Sequence, residues 1–104
     1  MKFKNMFSPI QIGPMTVKNR FVVPPMGNNF ANSDRTWSDE SVAYYGERAK
    51  GQFGLITIEA TVVHKGAKGG PKKPCLYDDN SIESLKKITD ACHEEGAKAS
   101  IQLQ

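Results

Sequence analysis

The sequence predicts an α/β fold with a parallel sheet. Three observations carry that reading. Short apolar runs alternate with two amphipathic stretches of helical spacing. The run "LITIEA" at 55–60 is nearly continuous and rich in β-branched residues, as suits a strand covered on both faces. After the hairpin, each strand is separated from the next by a helix, which implies βαβ units with right-handed crossovers.

The elements follow in order. "IQIGPMTVKN" reads as a tight hairpin, Ile10 to Ile12 and Met15 to Val17, around the Gly13-Pro14 turn. A short strand is expected at 20–23, stopped by Pro24-Pro25. A helix then starts at Ser38 as N-cap, with Asp39 and Glu40 placed to favour the positive end of the dipole. Val42, Tyr45 and Ala49 share its apolar face, and Gly51 is its stop. Residues 64–74, "HKGAKGGPKKP", form a glycine- and lysine-rich loop. The second helix is expected to be capped by Asn80 with Glu83 in a capping box. Its stripe is Ile82, Leu85, Ile88 and Cys92, and Gly96 ends it. In "AKASIQLQ", Ala97, Ala99, Ile101 and Leu103 alternate with Lys98, Ser100, Gln102 and Gln104, so a third strand closes the chain.

Three parallel strands and two helices leave an open edge and an uncovered face. The simplest whole is a barrel, of which these residues are the opening third. An exposed third strand is expected to template self-association of the piece.

Composition limits the function. The 104 residues make one small domain, and 38% hydrophobic content leaves little apolar surface spare. A net charge of +3 with lysines spread along the chain is mild for a nucleic-acid binder, so no nucleic-acid partner is expected. No apolar run approaches the ~18 residues of a membrane span, and the N-terminus lacks a signal-peptide core. A cytoplasmic protein with no membrane partner is the expectation. Cys75 and Cys92 match no metal or redox spacing and are expected to be reduced. His64 and His93 have no ligand-spaced neighbours, and no metal site is assigned. Cys92 on the helix stripe reads as core. The lysine loop has no phosphate-binding pattern and reads as solvated.

In parallel α/β folds, sites form at the C-terminal ends of strands. Pro24 to Asn29, Glu59 to Thr61 and Gln102 to Gln104 stand there. Pro25 fixes φ and Gly27 lacks a Cβ, so the chain turns there while offering backbone groups to a flat ligand. The same stretch serves equally as a sharp turn. Gln102 faces inward if the sheet curls into a barrel, where its amide needs partners such as a pyrimidine-like edge; in an antiparallel sheet it is merely solvated. Glu59, ending an apolar strand, reads as buried, either as a general base or paired with a structural partner such as an arginine.

Together, "FSPIQIGPMTVKNRFVVPPMG", "YYGERAKGQFGLITIEATVV" and "DACHEEGAKASIQLQ" resemble the N-terminal segment of the old yellow enzyme family. "NRFVVPPMGNNFAN" is most similar to the branch of 2-enoate and 2,4-dienoyl-CoA reductases. The resemblance implies a (β/α)8 TIM barrel, of which residues 1–104 are a partial domain, the floor hairpin and about three βα units, truncated after strand three. It implies an FMN-dependent NAD(P)H oxidoreductase that reduces the C=C bond of small α,β-unsaturated carbonyl compounds, of enoate or enoyl-CoA type. It implies that Pro25, Met26 and Gly27 lay backbone against the isoalloxazine ring. Ala60 matches the small residue near the pyrimidine end, and Gln102 the glutamine that bonds that edge. Many relatives carry threonine or cysteine in place of Gly27, where the side chain tunes the flavin. Relatives of that branch also carry an iron–sulfur cluster and FAD beyond the barrel. The substrate-anchoring and proton-donating residues lie past Gln104 in the family, so no catalytic residue is expected here and the piece alone is expected to be inactive. A free-standing α/β module that binds a partner through its sheet edge is the non-enzymatic alternative.

Overall fold

A computed structural model of the chain describes residues 2–67 and 69–104. Strands β1 (Ile10–Ile12) and β2 (Met15–Val17) form an antiparallel hairpin, with Gly13 at φ 55° in its turn. Strands β3 (Val22–Val23), β4 (Leu55–Thr61) and β5 (Lys98–Leu103) form a parallel sheet in the order β3-β4-β5. Helix α1 (Asp39–Lys50) links β3 to β4, and α2 (Ile82–Glu94) links β4 to β5. Among the described residues no helix is long and apolar enough to cross a membrane.

The core lies between the sheet and the two helices. Val23, Ile56 and Ile58 from the sheet meet Tyr45 and Ala49 of α1 and Ile88 and Cys92 of α2, with Trp37 at one end. Cys92 is fully buried, and burial pushes its thiol pKa up, as befits an inert core residue. The opposite face of the sheet carries Val22, which is exposed, and the Thr57 and Ser100 hydroxyls bonded across β4 and β5 at 2.8 Å.

The hairpin sits under the N-terminal ends of the strands. Asn19 donates from Nδ2 to the Gln52 carbonyl at 2.7 Å, and Lys18 Nζ reaches the Glu95 carbonyl at 2.6 Å. Both acceptors belong to the turns that enter β4 and β5. Gly54, just before β4, lies so close to β2 that a Cβ there would stand 2.6 Å from Asn19 Oδ1 and 2.7 Å from Val17 Cγ1. The hairpin is therefore a floor, and the strands' C-terminal ends point away from it.

Several element boundaries differ from expectation. β3 is only two residues long, because the Arg20 N–H goes to the Met6 carbonyl and the Phe21 N–H to Asn19 Oδ1. Those amides are spent outside the ladder. Ser38 caps α1 as expected, accepting from the Ser41 N–H at 3.1 Å. Asn80 does not cap α2. Asp78 accepts from the Asn80 N–H at 2.9 Å and starts a 3-10 turn, Asp79–Ser81, that feeds the helix. Ile82 is consequently the first residue of α2 and is 58% exposed rather than part of the buried stripe. Leu103 is 61% exposed and lies outside the core that holds Ile101.

Candidate functional site

The pairing of β4 with β5 contains an irregularity that shapes the site. Ile58 pairs with Ile101 and Thr61 with Leu103, so Glu59 and Ala60 together stand opposite Gln102. This is a β-bulge, with one extra residue on β4. It shifts the phase of burial: Ile56 and Ile58 are buried before it, Glu59 and Thr61 after it. Ala60 is thereby moved to the face that carries Thr57, Ser100 and Gln102. A regular strand would have put Glu59 there instead. Ala60 lies inside β4, at the bulge.

A bulge leaves backbone groups without ladder partners, and side chains supply them here. The Glu59 N–H donates to the Tyr45 hydroxyl at 3.0 Å, and the Thr61 hydroxyl donates to the Glu59 carbonyl at 2.7 Å. The Tyr45 hydroxyl in turn donates to Glu59 Oε1 at 3.4 Å. Glu59 Oε2 accepts from the Asn28 N–H at 3.3 Å. Glu59 is only 1% exposed. Burial raises its carboxyl pKa; the Asn28 and Tyr45 hydrogen bonds, the positive charge of Lys73 and the indole of Trp37 pull the other way. Burial likewise raises the Tyr45 phenol, chiefly by desolvation.

This arrangement corrects the expected arginine partner of Glu59. The carboxylate bonds a tyrosine and a backbone amide instead, and neither ion pair among the described residues, Lys50–Glu47 or Lys86–Asp90, includes it. Through Asn28 it ties the loop after β3 to the end of β4. Asn28, Tyr45 and Trp37 were not singled out as functional from sequence. The signal available for Asn28 was its place in a polar Asn-Asn pair directly after the Pro-Pro-Met-Gly turn.

The residues singled out for a cofactor lie at the C-terminal ends of adjacent strands. Pro25 is half-buried after β3, Met26 is 47% exposed and Gly27 is exposed. A Cβ built on Gly27 meets nothing within 4 Å, so open space adjoins this backbone. Beside it, Asn28 Nδ2 is buried with no hydrogen-bond partner. Ala60 is half-buried and Gln102, across the bulge, is exposed. An open backbone stretch, a small residue and a free amide thus border the uncovered side of the sheet, and an unpartnered buried donor lies next to them. That donor set fits a flat heterocycle with hydrogen-bonding edges.

The model of the NADH:flavin oxidoreductase / NADH oxidase family matches residues 5–104. The chain belongs to that family. Its fold is that of the old yellow enzymes. The old yellow enzyme homologue of Zymomonas mobilis is 33% identical with a TM-score of 0.87, over 95% of this chain and 27% of that one. An old yellow enzyme from a Pichia species is 35% identical with a TM-score of 0.88, over 95% of this chain and 26% of that one. A 2-naphthoyl-CoA reductase, in complex with 2-naphthoyl-CoA, is 33% identical with a TM-score of 0.91, over 96% of this chain and 15% of that one. The chain therefore spans about a quarter or less of the length of these structures. It corresponds to the beginning of a TIM barrel, with the hairpin as floor and β3, β4 and β5 as its first three staves.

Proposed function

We propose that this chain is the N-terminal part of an FMN-dependent NAD(P)H oxidoreductase that reduces the C=C bond of α,β-unsaturated carbonyl compounds of the enoate or enoyl-CoA type. The observation that carries this reading is the bulge that places Ala60 and Gln102 together on the uncovered face, in a chain whose residues 5–104 match the family. Pro25, Met26 and Gly27 supply backbone to one side of the isoalloxazine, and Ala60 leaves room at its pyrimidine end. Gln102 offers the amide that this edge recognises. When bound, FMN supplies hydride transfer; the protein orients it and excludes water. Gly27 contributes only its backbone, so flavin tuning by a side chain at this position is absent.

The enoyl-CoA assignment rests on the "NRFVVPPMGNNFAN" resemblance and on the likeness to 2-naphthoyl-CoA reductase. That protein is long, since this segment covers only 15% of it. An iron–sulfur cluster and FAD, in this reading, belong to parts of the parent outside these residues. A cofactor shell drawn from three staves is incomplete, so the 104-residue piece alone binds FMN weakly or not at all and is inactive. Its β5, hydrogen-bonded only to β4 among the described strands, gives it an edge for self-association.

The test is the intact mass and visible spectrum of the natural gene product, captured with an antibody to this segment. A mass several times 11.5 kDa with flavin absorption is expected. A colourless protein of 11.5 kDa contradicts the reading and favours a binding module.

A further inference from the structure

We propose that Glu59 is a positioning residue that holds the Met26-Gly27-Asn28 backbone in place for the flavin. The inference rests on the functional reading above and deepens it.

A buried carboxylate is costly unless its oxygens are satisfied, and a leucine would fill the same core space without that cost. Glu59 has no cation at ion-pair distance among the described residues. Its two oxygens are instead divided between two elements: Oε1 takes the Tyr45 hydroxyl from α1 and Oε2 takes the Asn28 N–H from the loop after β3. The first bond anchors the carboxylate to the helix layer. The second fixes the amide immediately after Gly27. The bulge makes this geometry available, because it turns Glu59 toward Tyr45 while Ala60 takes the uncovered face. One irregularity thus supplies both sides of the candidate cofactor cradle: Ala60 opposite Gln102, and Glu59 holding the loop that carries Met26 and Gly27. A backbone placed this way is preorganised rather than recruited on binding.

The experiment uses the full-length, FMN-loaded protein with Glu59→Gln and Glu59→Leu. It reads the FMN dissociation constant, the visible flavin band and far-UV circular dichroism. Glu59→Leu removes both acceptors and should weaken FMN binding by about tenfold or more, with a shifted flavin band and a native far-UV spectrum. Glu59→Gln keeps one acceptor of the same shape and should recover part of that loss. If Glu59→Leu does not fold, the nearly isosteric Glu59→Gln decides, with a weaker dissociation constant and an altered band expected. A folded variant with wild-type affinity and an unchanged band overturns the positioning role, even if its melting temperature falls. A wild-type protein without flavin overturns the functional reading itself, and the positioning role with it.

Discussion

The Asn28 N–H donates to Glu59 Oε2 across 31 residues of sequence, joining the loop after β3 to the bulged end of β4. The carboxylate that accepts it is held by Tyr45, and the bulge itself is completed by side chains. The site and the helix layer are therefore one hydrogen-bonded unit, and substitutions in it should report on each other.

Tyr45→Phe removes a hydroxyl that both accepts the Glu59 N–H and donates to Glu59 Oε1. It leaves a buried amide and a buried carboxylate each short of a partner. Unfolding in urea should show a loss of about 1–3 kcal/mol, with the same fold by circular dichroism.

The raised carboxyl pKa of Glu59 gives stability a defined pH slope. The folded state binds this proton more tightly than the unfolded state, whose carboxyl titrates near its ordinary 4.5. The contribution of Glu59 is then most favourable below 4.5 and declines as pH rises from there through the raised folded-state value. Melting curves across that window should fall with pH for the wild type relative to Glu59→Gln, which lacks the titration. Parallel curves for the two proteins would contradict the shift.

Gly27→Cys and Gly27→Thr should leave folding intact. Gly27 has no left-handed φ, and its missing Cβ would meet open space. Stability should change by less than about 0.5 kcal/mol. In the flavin-loaded protein the same variants should shift the midpoint potential, because a polar side chain then adjoins the ring. An unchanged potential would remove this loop from the flavin.

Gly54→Ala should behave in the opposite way. Its Cβ would meet Asn19 and Val17 at under 3 Å, including the Asn19 backbone carbonyl at 2.8 Å. Forcing the floor hairpin away from β4 should cost about 1–3 kcal/mol in denaturant unfolding.

Much of this was legible in the sequence where signals are local. Gly13-Pro14 marked the hairpin, Ser38 capped α1, and Gly96, at φ 79°, ended α2. The alternation of "AKASIQLQ" marked β5, although Leu103, the last residue of the strand, is exposed. At the end of α1 the glycine signal was displaced by one residue: Gly51 keeps an ordinary φ of −70°, and Gln52 takes the left-handed turn at 72°. Gln52 is compensated by its bonds with Asn19 and Lys18. The start of α2 was misplaced because Asp78 and Asn80 are both good caps, and only the tertiary path decides between them. The bulge was not legible. "LITIEA" reads as an unbroken strand, and an extra residue exists only relative to the register of a partner more than 40 residues later. Without it, Ala60 could not be placed on the uncovered face with Thr57 and Gln102, nor could Tyr45 be recognised as more than an apolar helix position.

In the proposed site Gln102, opposite the bulge, recognises the flavin. The decisive measurement is a titration of FMN into the full-length apoprotein of the wild type and of Gln102→Leu. Gln102 is exposed on the uncovered face, so its loss should spare the fold while removing hydrogen bonds to the cofactor. FMN should bind Gln102→Leu about tenfold more weakly, the worth of one or two such bonds. Equal affinity for the two proteins would contradict it.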